Sequence, residues 1–231
     1  MDKLANPVGN KIFSLLFLIL AQHGFFQGFV NLNFESAKII PLTQGANFPP
    51  YSIATTNAVP GWLVYYGAAQ QTQITYNDPA LGSTFATLWA TNGQNISGHF
   101  SLLLQGGGSA SAASISQTAL TPLTAQSLMF KAQYNDGVPT GGSLLVSLNG
   151  QNIPFFAISS GSNYTLYGGD ISAFAGQTAQ LTFSAPNVGH DNNWNIDDIV
   201  FSNQPIPEPS GLVLFSFGAL LLDFFRRRIF L

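Results

Sequence analysis

GSLLVSLNGQNIPFFA, residues 142–157, is the stretch that decides how this chain folds. Two largely apolar runs flank the pair Asn149-Gly150. An Asn-Gly pair supplies the two positive-φ positions of a type I′ turn and is the strongest two-residue signal for a β-hairpin. The stretch therefore predicts two strands, Gly142–Leu148 and Gln151–Ala157, on either side of a tight turn.

The same alternation of short β-prone runs with Gly, Pro, Asn and Asp extends outward in both directions, and helical periodicity is nearly absent. This pattern predicts an all-β fold, an antiparallel β-sandwich of jelly-roll type. The other strands are predicted at Phe29–Glu35, Gly61–Tyr66, Gln71–Tyr76, Thr84–Trp89, Gly98–Leu104, Ala113–Gln117, Gln126–Tyr134, Asn163–Tyr167, Thr178–Ser184 and Trp194–Ser202. Residues 170–176 predict one helical turn, with Asp170 as its cap and Gly176 as its stop.

Both ends of the chain differ from this β-rich body, residues 29–204. Residues 1–28 combine a basic start with a short apolar run, which predicts a signal peptide. Residues 205–231 combine a Pro-rich spacer, an apolar run from Gly211 to Phe225 and a block of arginines. We predict that this run is a transmembrane helix and that the basic block stays on the cytoplasmic side, which places the body across the membrane.

The sorting tail resembles a known signal. Its residues Pro207, Glu208 and Pro209, followed by the apolar helix and by Arg226, Arg227 and Arg228, resemble the PEP-CTERM sorting signal of Gram-negative bacteria. The resemblance implies that an exosortase in the inner membrane recognises and removes the tail. It also implies a membrane-anchored precursor and a mature protein at the cell surface or in the extracellular matrix of biofilm-forming bacteria.

The charge of the body excludes one class of function. The body contains two lysines, Lys38 and Lys131, and seven carboxylates, so its formal charge is 2 − 7 = −5. A nucleic-acid-binding protein needs clustered Lys and Arg side chains to replace counterions, and the body has no such cluster. Only 7% of the chain is charged, so its polar positions are mostly neutral. We predict no nucleic-acid partner.

Four short landmarks give a second resemblance. Asn33-Phe34-Glu35, Pro60-Gly61-Trp62, Ile115-Ser116-Gln117-Thr118 and Asn195-Ile196-Asp197-Asp198-Ile199 follow one another along the body. Their order is similar to that of galactose-binding-like jelly rolls, which include many bacterial carbohydrate-binding modules. The resemblance implies a structural calcium between the first and last strands and a sugar ligand.

The carboxylates of those two strands are the candidate metal ligands. A two-residue period places Asp197 on the inward face with Ile199 and Phe201, without a countercharge. Calcium takes six to eight oxygen ligands, so Glu35, Asp197 and Asp198 predict a structural calcium site. The alternative is that these carboxylates cap turns or accept hydrogen bonds from backbone amides.

Aromatic residues provide the candidate sugar-binding surface. Trp89, Trp194 and Tyr66 are predicted to stack on sugar rings, with neighbouring amides bonded to the hydroxyls. The alternative is that the tryptophans fill the core of the sandwich. His99 and His190 are the only histidines of the body, and the chain lacks a Gly-x-Ser-x-Gly or His-x-x-x-His motif.

These observations predict an exported, non-catalytic surface or matrix protein that associates with extracellular polysaccharide. Two alternatives stay open at this point: a secreted hydrolase that acts on polysaccharide, and a purely structural matrix protein without a ligand.

Overall fold

The computed structural model of the protein describes residues 28–42, 51–78, 85–90, 95–107, 111–135 and 142–206. The predicted signal peptide up to residue 27, and the predicted sorting motif and transmembrane helix from residue 207 onward, lie outside these residues. Within the described ranges, no helix is long and apolar enough to cross a membrane.

Fourteen strands of the described chain form two sheets, whose neighbouring strands are hydrogen-bonded in the orders β1-β4-β5-β6-β14-β8-β12-β11 and β10-β9-β13-β7-β2-β3. The strands are β1 Tyr51–Ala54, β2 Leu63–Tyr66, β3 Ala69–Gln71, β4 Gln73–Tyr76, β5 Phe85–Ala90, β6 Phe100–Gly106, β7 Ala113–Leu120, β8 Ser127–Tyr134, β9 Leu145–Leu148, β10 Gln151–Asn152, β11 Phe156–Ser160, β12 Thr165–Asp170, β13 Thr178–Ala185 and β14 Asn192–Ser202. Within the described ranges, helical structure is limited to the single turn α1, Thr55–Ala58, and a 3₁₀ turn, Ser172–Phe174.

The two sheets pack face to face around one apolar core. Phe130 of β8 meets Phe183 of β13 edge-on, with 5.1 Å between the ring centroids, and a second ring, Phe155, lies 5.2 Å from Phe130. Inward-facing residues of both sheets, such as Leu104 and Leu181, are fully buried in the same cluster. The predicted all-β sandwich is therefore confirmed, although β4 and β5 pair in parallel, so the sandwich is not purely antiparallel.

The hairpin at Asn149-Gly150 is confirmed. Both residues have positive φ angles, 51° and 77°, and Leu148 pairs with Gln151 across the turn. The predicted second strand, Gln151–Ala157, is wrong in its length, because the chain leaves the six-stranded sheet after β10 and continues as β11 in the other sheet. Pro154 has no N–H to give to a strand ladder, and the crossing occurs there.

The predicted first strand, Phe29–Glu35, is wrong: residues 32–36 form turns, in which Phe34 has a φ angle of 57°. The segment nevertheless lies beside the last strand as expected, because Ile199 donates a backbone hydrogen bond to Leu32 and the ring of Phe29 stacks on that of Phe201 at 4.7 Å. The predicted helical turn at residues 170–176 is confirmed as the 3₁₀ turn Ser172–Phe174, although its N-cap is Ile171 and not Asp170. The carboxylate of Asp170 still accepts the Ser172 N–H at 2.8 Å.

A β-bulge in β14 positions the candidate metal ligands. The pairing with β8 shifts register between Asp197 and Val200, and Asp198 has a φ angle of 45°. The bulge breaks the two-residue period, so Ile196 and Ile199 both enter the core. Asp197 faces the other side of the eight-stranded sheet, so the predicted inward orientation of this side chain is wrong.

Candidate functional site

Two carboxylates hold the segment 95–101 from two directions. The first is Glu35, whose Oε1 accepts the backbone N–H groups of His99 and Phe100 at 2.7 and 3.0 Å. Its Oε2 lies 3.2 Å from Nδ1 of His99. Gly98 makes this approach possible, since it has a φ angle of 56° and a Cβ at this position would collide with the Glu35 carboxylate.

The second carboxylate is Asp197, which is almost completely buried. Its Oδ2 accepts hydrogen bonds from the Ser101 hydroxyl at 2.7 Å and from the Ser97 N–H at 3.1 Å, and its Oδ1 accepts the N–H of Asp198 at 2.7 Å. Burial raises the pKa of Asp197 to about 7, and the hydrogen bonds from Ser101, Asp198 and Ser97 oppose part of this shift. The Asp197 carboxyl therefore changes from its protonated to its ionised form near neutral pH.

The predicted calcium ligands are only partly brought together. Glu35 and Asp197 bind the same segment, whereas Asp198 turns away and pairs with Lys131, with 2.8 Å between Oδ2 and Nζ. The described residues contain no group of three side chains arranged to hold a metal ion. The donors on the carboxylate oxygens of Glu35 and Asp197 are backbone N–H groups and the Ser101 hydroxyl, as in the alternative of hydrogen bonding to backbone amides. Calcium binding stays a prediction.

The two tryptophans predicted to stack on sugars are not available to do so. Trp89 and Trp194 are only 5% and 6% exposed, so neither ring can form a platform. Trp194 donates its indole N–H to Asn192 at 2.9 Å and packs against Tyr134. The hydroxyl of Tyr66 accepts the N–H of Ala86 at 3.0 Å. The expected exposure of the two tryptophans is wrong, and the alternative that they are buried is confirmed.

A polar pocket with aromatic walls lies instead where the turn between β11 and β12 meets β8. Its volume is about 350 Å³. None of the described residues that line it is charged. They are three tyrosines, five residues with polar side chains and two small residues: Tyr134, Tyr164, Tyr167, Gln133, Ser160, Ser162, Asn163, Thr165, Ala132 and Gly161.

Local chain geometry presents Tyr164 at this pocket. The N–H of Gly161 donates to the carbonyl of Tyr164 at 2.8 Å and closes the turn. Gly161 leaves room for the Tyr164 ring, because a Cβ at this position would overlap the ring unless the ring shifted. Lys131 of β8 places its Nζ 4.7 Å from the centre of the same ring, a cation–π contact that fixes the ring's position.

The pocket is connected to the segment 95–101 by a continuous series of side-chain contacts. Lys131 binds Asp198, whose N–H donates to Asp197, and Asp197 in turn holds the segment 95–101. The segment returns to the pocket because the side-chain amide of Asn163 donates to the carbonyl of Asn95 at 3.2 Å. The carboxylates identified from the sequence therefore support the pocket at a distance.

Sequence reasoning missed Tyr164 and Gln133 as site residues. The stretch Gly161-Ser162-Asn163-Tyr164 has the composition of a turn that presents an aromatic ring, which is the signal available in the sequence. The neighbours of Tyr164 come from β8, about thirty residues earlier, and no local pattern connects the two.

Comparisons with known proteins include a weak structural likeness. No family model and no curated protein matches the chain. The fold is similar to the enzymatically active domain of tailspike protein 4 from bacteriophage CBA120, with 13% sequence identity and a TM-score of 0.37. The match covers 61% of this chain and 19% of the tailspike chain, so the chain spans about a fifth of the length of that protein.

This comparison corrects one prediction. The chain was expected not to be an enzyme, whereas the structure that it is similar to is described as an enzymatically active domain. We therefore do not retain the prediction that the chain lacks catalytic activity. At this TM-score the likeness carries no argument for a particular reaction, substrate or site residue.

Proposed function

We propose that this protein is exported and binds extracellular polysaccharide in the polar pocket beside β8. The observation that carries the proposal is the pocket's lining. Tyr164 offers a half-buried ring to the C–H face of a sugar, whereas Tyr134 and Tyr167 line the pocket while they pack on Trp194 and Phe130. Gln133, Asn163 and the hydroxyl side chains offer donors and acceptors for the hydroxyl groups of the sugar. A jelly-roll connectivity of the sandwich is part of this proposal.

The charge of the site indicates the class of sugar. No charged side chain is among the described lining residues, and Lys131 at its margin is already neutralised by Asp198. The body has a formal charge of −5, which disfavours an anionic polysaccharide. We therefore expect a neutral polysaccharide or a neutral segment of a mixed one.

The ends of the sequence support the location. A signal-peptide-like start, Pro207-Glu208-Pro209, an apolar run and three arginines occur in the order that resembles an exosortase substrate. Export by the signal peptide and removal of the tail by the exosortase would deliver the sandwich to the surface or matrix, where polysaccharide is abundant.

A glycan array probed with the full-length chain in mild detergent tests the proposal. We expect binding to neutral glycans, and we expect Tyr164→Ala and Gln133→Ala to weaken it about tenfold or more. Gln126→Ala is the matched control, because Gln126 is exposed at the start of β8 and lies outside the pocket. A reducing-end assay on each bound glycan then separates binding from hydrolysis. Binding unaffected by both pocket substitutions would contradict the assignment of the site.

A further inference from the structure

The six-stranded sheet contains no charged residue in any of its strands. Its sequences are Leu-Val-Tyr-Tyr, Ala-Gln-Gln, Ala-Ser-Ile-Ser-Gln-Thr-Ala-Leu, Leu-Val-Ser-Leu, Gln-Asn and Thr-Ala-Gln-Leu-Thr-Phe-Ser-Ala. One face of this sheet packs on the core. The side chains of the opposite face are half-buried or exposed, apart from the buried Ser116, and none of them is charged, whereas charged side chains normally keep such surfaces soluble and apart.

The solvent-facing side, which we call the hydroxyl face, is built from serine and threonine at alternate positions of three neighbouring strands. Ser147 of β9 lies opposite Thr182 of β13, and Ser184 of β13 lies opposite Ser114 of β7. Its half-buried or exposed hydroxyl residues are Ser114, Thr118, Ser147, Thr178, Thr182 and Ser184. Across the described part of the chain, no hydrogen bond is formed by any of these six hydroxyls.

Strand geometry turns these side chains into a regular array. Neighbouring strands are about 4.8 Å apart, and alternate residues along a strand are about 6.7 Å apart. Each hydroxyl is one donor and two acceptors and can rotate to suit its partner. Exposed apolar residues border the array, Leu145 on one side and Leu63 with the half-buried Tyr65 on the other.

We propose that the hydroxyl face binds the surface of an ordered, neutral polysaccharide, in which many chains lie side by side. A repeating neutral array of donors and acceptors matches a repeating neutral array of sugar hydroxyls, and the bordering Leu and Tyr side chains contact the C–H faces of the sugars. This site is separate from the pocket: it lies on the other sheet and engages an extended surface.

Other occupants fit this face less well. An anionic polymer finds no positive side chain on the sheet and meets the net negative charge of the body. A second copy of the chain would bury the hydroxyls against a surface with the same side chains, with a desolvation cost for each hydroxyl that finds no partner. A lipid surface would require an apolar face with Lys or Arg at its margin, which these strands do not provide.

Co-sedimentation of the full-length chain in mild detergent with microcrystalline cellulose and with insoluble β-1,3-glucan tests this proposal. The variants Thr182→Glu and Thr182→Lys put a charge of either sign at the centre of the face, where Ser147 and the buried Ser116 are the cross-strand neighbours. We expect both to weaken binding about tenfold, which corresponds to about 1.4 kcal/mol. Thr182→Ser keeps the hydroxyl and should bind as the wild type does.

Ser159→Glu on β11 is the matched control, because it adds the same charge at an exposed position of the other sheet. Circular dichroism and urea unfolding check that each variant is folded. No binding of the wild type to either solid, or binding unchanged in both charged variants, overturns the proposal. Weakening by Glu with strengthening by Lys would overturn it in favour of an anionic ligand, and a dimer in sedimentation velocity that Thr182→Glu dissociates would overturn it in favour of a second copy.

The pocket variant Tyr164→Ala keeps the two sites distinguishable. We expect it to lose binding to soluble glycans, whereas Thr182→Glu should keep that binding and lose co-sedimentation with the solids. If Tyr164→Ala instead abolishes co-sedimentation and the Thr182 variants do not, the pocket is the polysaccharide site and the hydroxyl face is not.

Discussion

The buried carboxyl of Asp197 makes folding stability depend on pH in a direction opposite to that of an ordinary surface aspartate. Its pKa is raised to about 7, mainly because the ionised form is removed from water. In the unfolded chain the pKa is about 3.9. Between these values the folded protein retains a proton that the unfolded protein releases, so the free energy of unfolding falls as pH rises.

The size of the effect follows from the same two values. A difference of about three pKa units, at 1.36 kcal/mol per unit, gives a loss of roughly 4 kcal/mol between pH 4 and pH 7. The full stability is present below the unfolded pKa and is lost as pH rises through the folded pKa. Asp197→Asn cannot ionise and should remove this slope. Its amide faces the Asp198 N–H, so we also expect a destabilisation that is independent of pH.

Urea denaturation of the wild type and of Asp197→Asn at half-unit intervals from pH 4 to pH 8 measures the difference. Glu35, His99, Asp198 and Lys131 lie around Asp197 and are present in both proteins, so the comparison removes most of their contribution. Asp170→Asn is the control: the bond from Ser172 lowers the pKa of Asp170, so its effect changes only at more acidic pH. We expect the free energy of unfolding of the wild type minus that of Asp197→Asn to fall from pH 4 to pH 8. A value that stays constant or rises over this range would refute the reasoning.

Three further outcomes are expected. Gly98→Ala should lower the free energy of unfolding by about 1–3 kcal/mol, and by more than Gly150→Ala. Both glycines have positive φ, but only a Cβ at Gly98 would meet another side chain, that of Glu35. Equal losses in urea unfolding would contradict the close contact between Glu35 and the segment 95–101. Millimolar calcium should raise the melting temperature, and Glu35→Gln should abolish the shift, if the predicted calcium site exists; a melting temperature indifferent to calcium and to chelator would remove it. Mass spectrometry of the mature protein should show no peptide beyond residue 210, and an intact tail in the surface-located pool would contradict exosortase processing.

Local sequence patterns were sufficient for most of the strands. The alternation in Thr178–Ala185 places Leu181 and Phe183 in the core and Thr182 and Ser184 on the outer face, since successive side chains of a strand point to opposite sides. The Asn149-Gly150 turn was equally predictable, because few other residue pairs accept positive φ twice in succession.

The site depended on features that no local pattern records. The burial of Trp89 is decided by distant parts of the chain, and aromatic content alone does not distinguish a platform from a core. The bulge after Asp197 reverses the phase of β14, which sequence period cannot foresee. The break at Pro154 is visible in the sequence, but a proline in a strand-like run does not say which sheet the chain enters next.

The chain has few charged residues, and two of its carboxylates each bind several partners. Glu35 and Asp197 together accept five hydrogen bonds from backbone groups and Ser101, and the chain of contacts then passes through Asp198 and Lys131 to the ring of Tyr164. Loss of either carboxylate removes two hydrogen bonds to the segment 95–101, and the side chain of Asn163 at the pocket binds the same segment. Substitution of Glu35 should therefore weaken sugar binding, although Glu35 does not line the pocket. An equally destabilising core substitution away from this network should leave the sugar affinity of the folded protein unchanged.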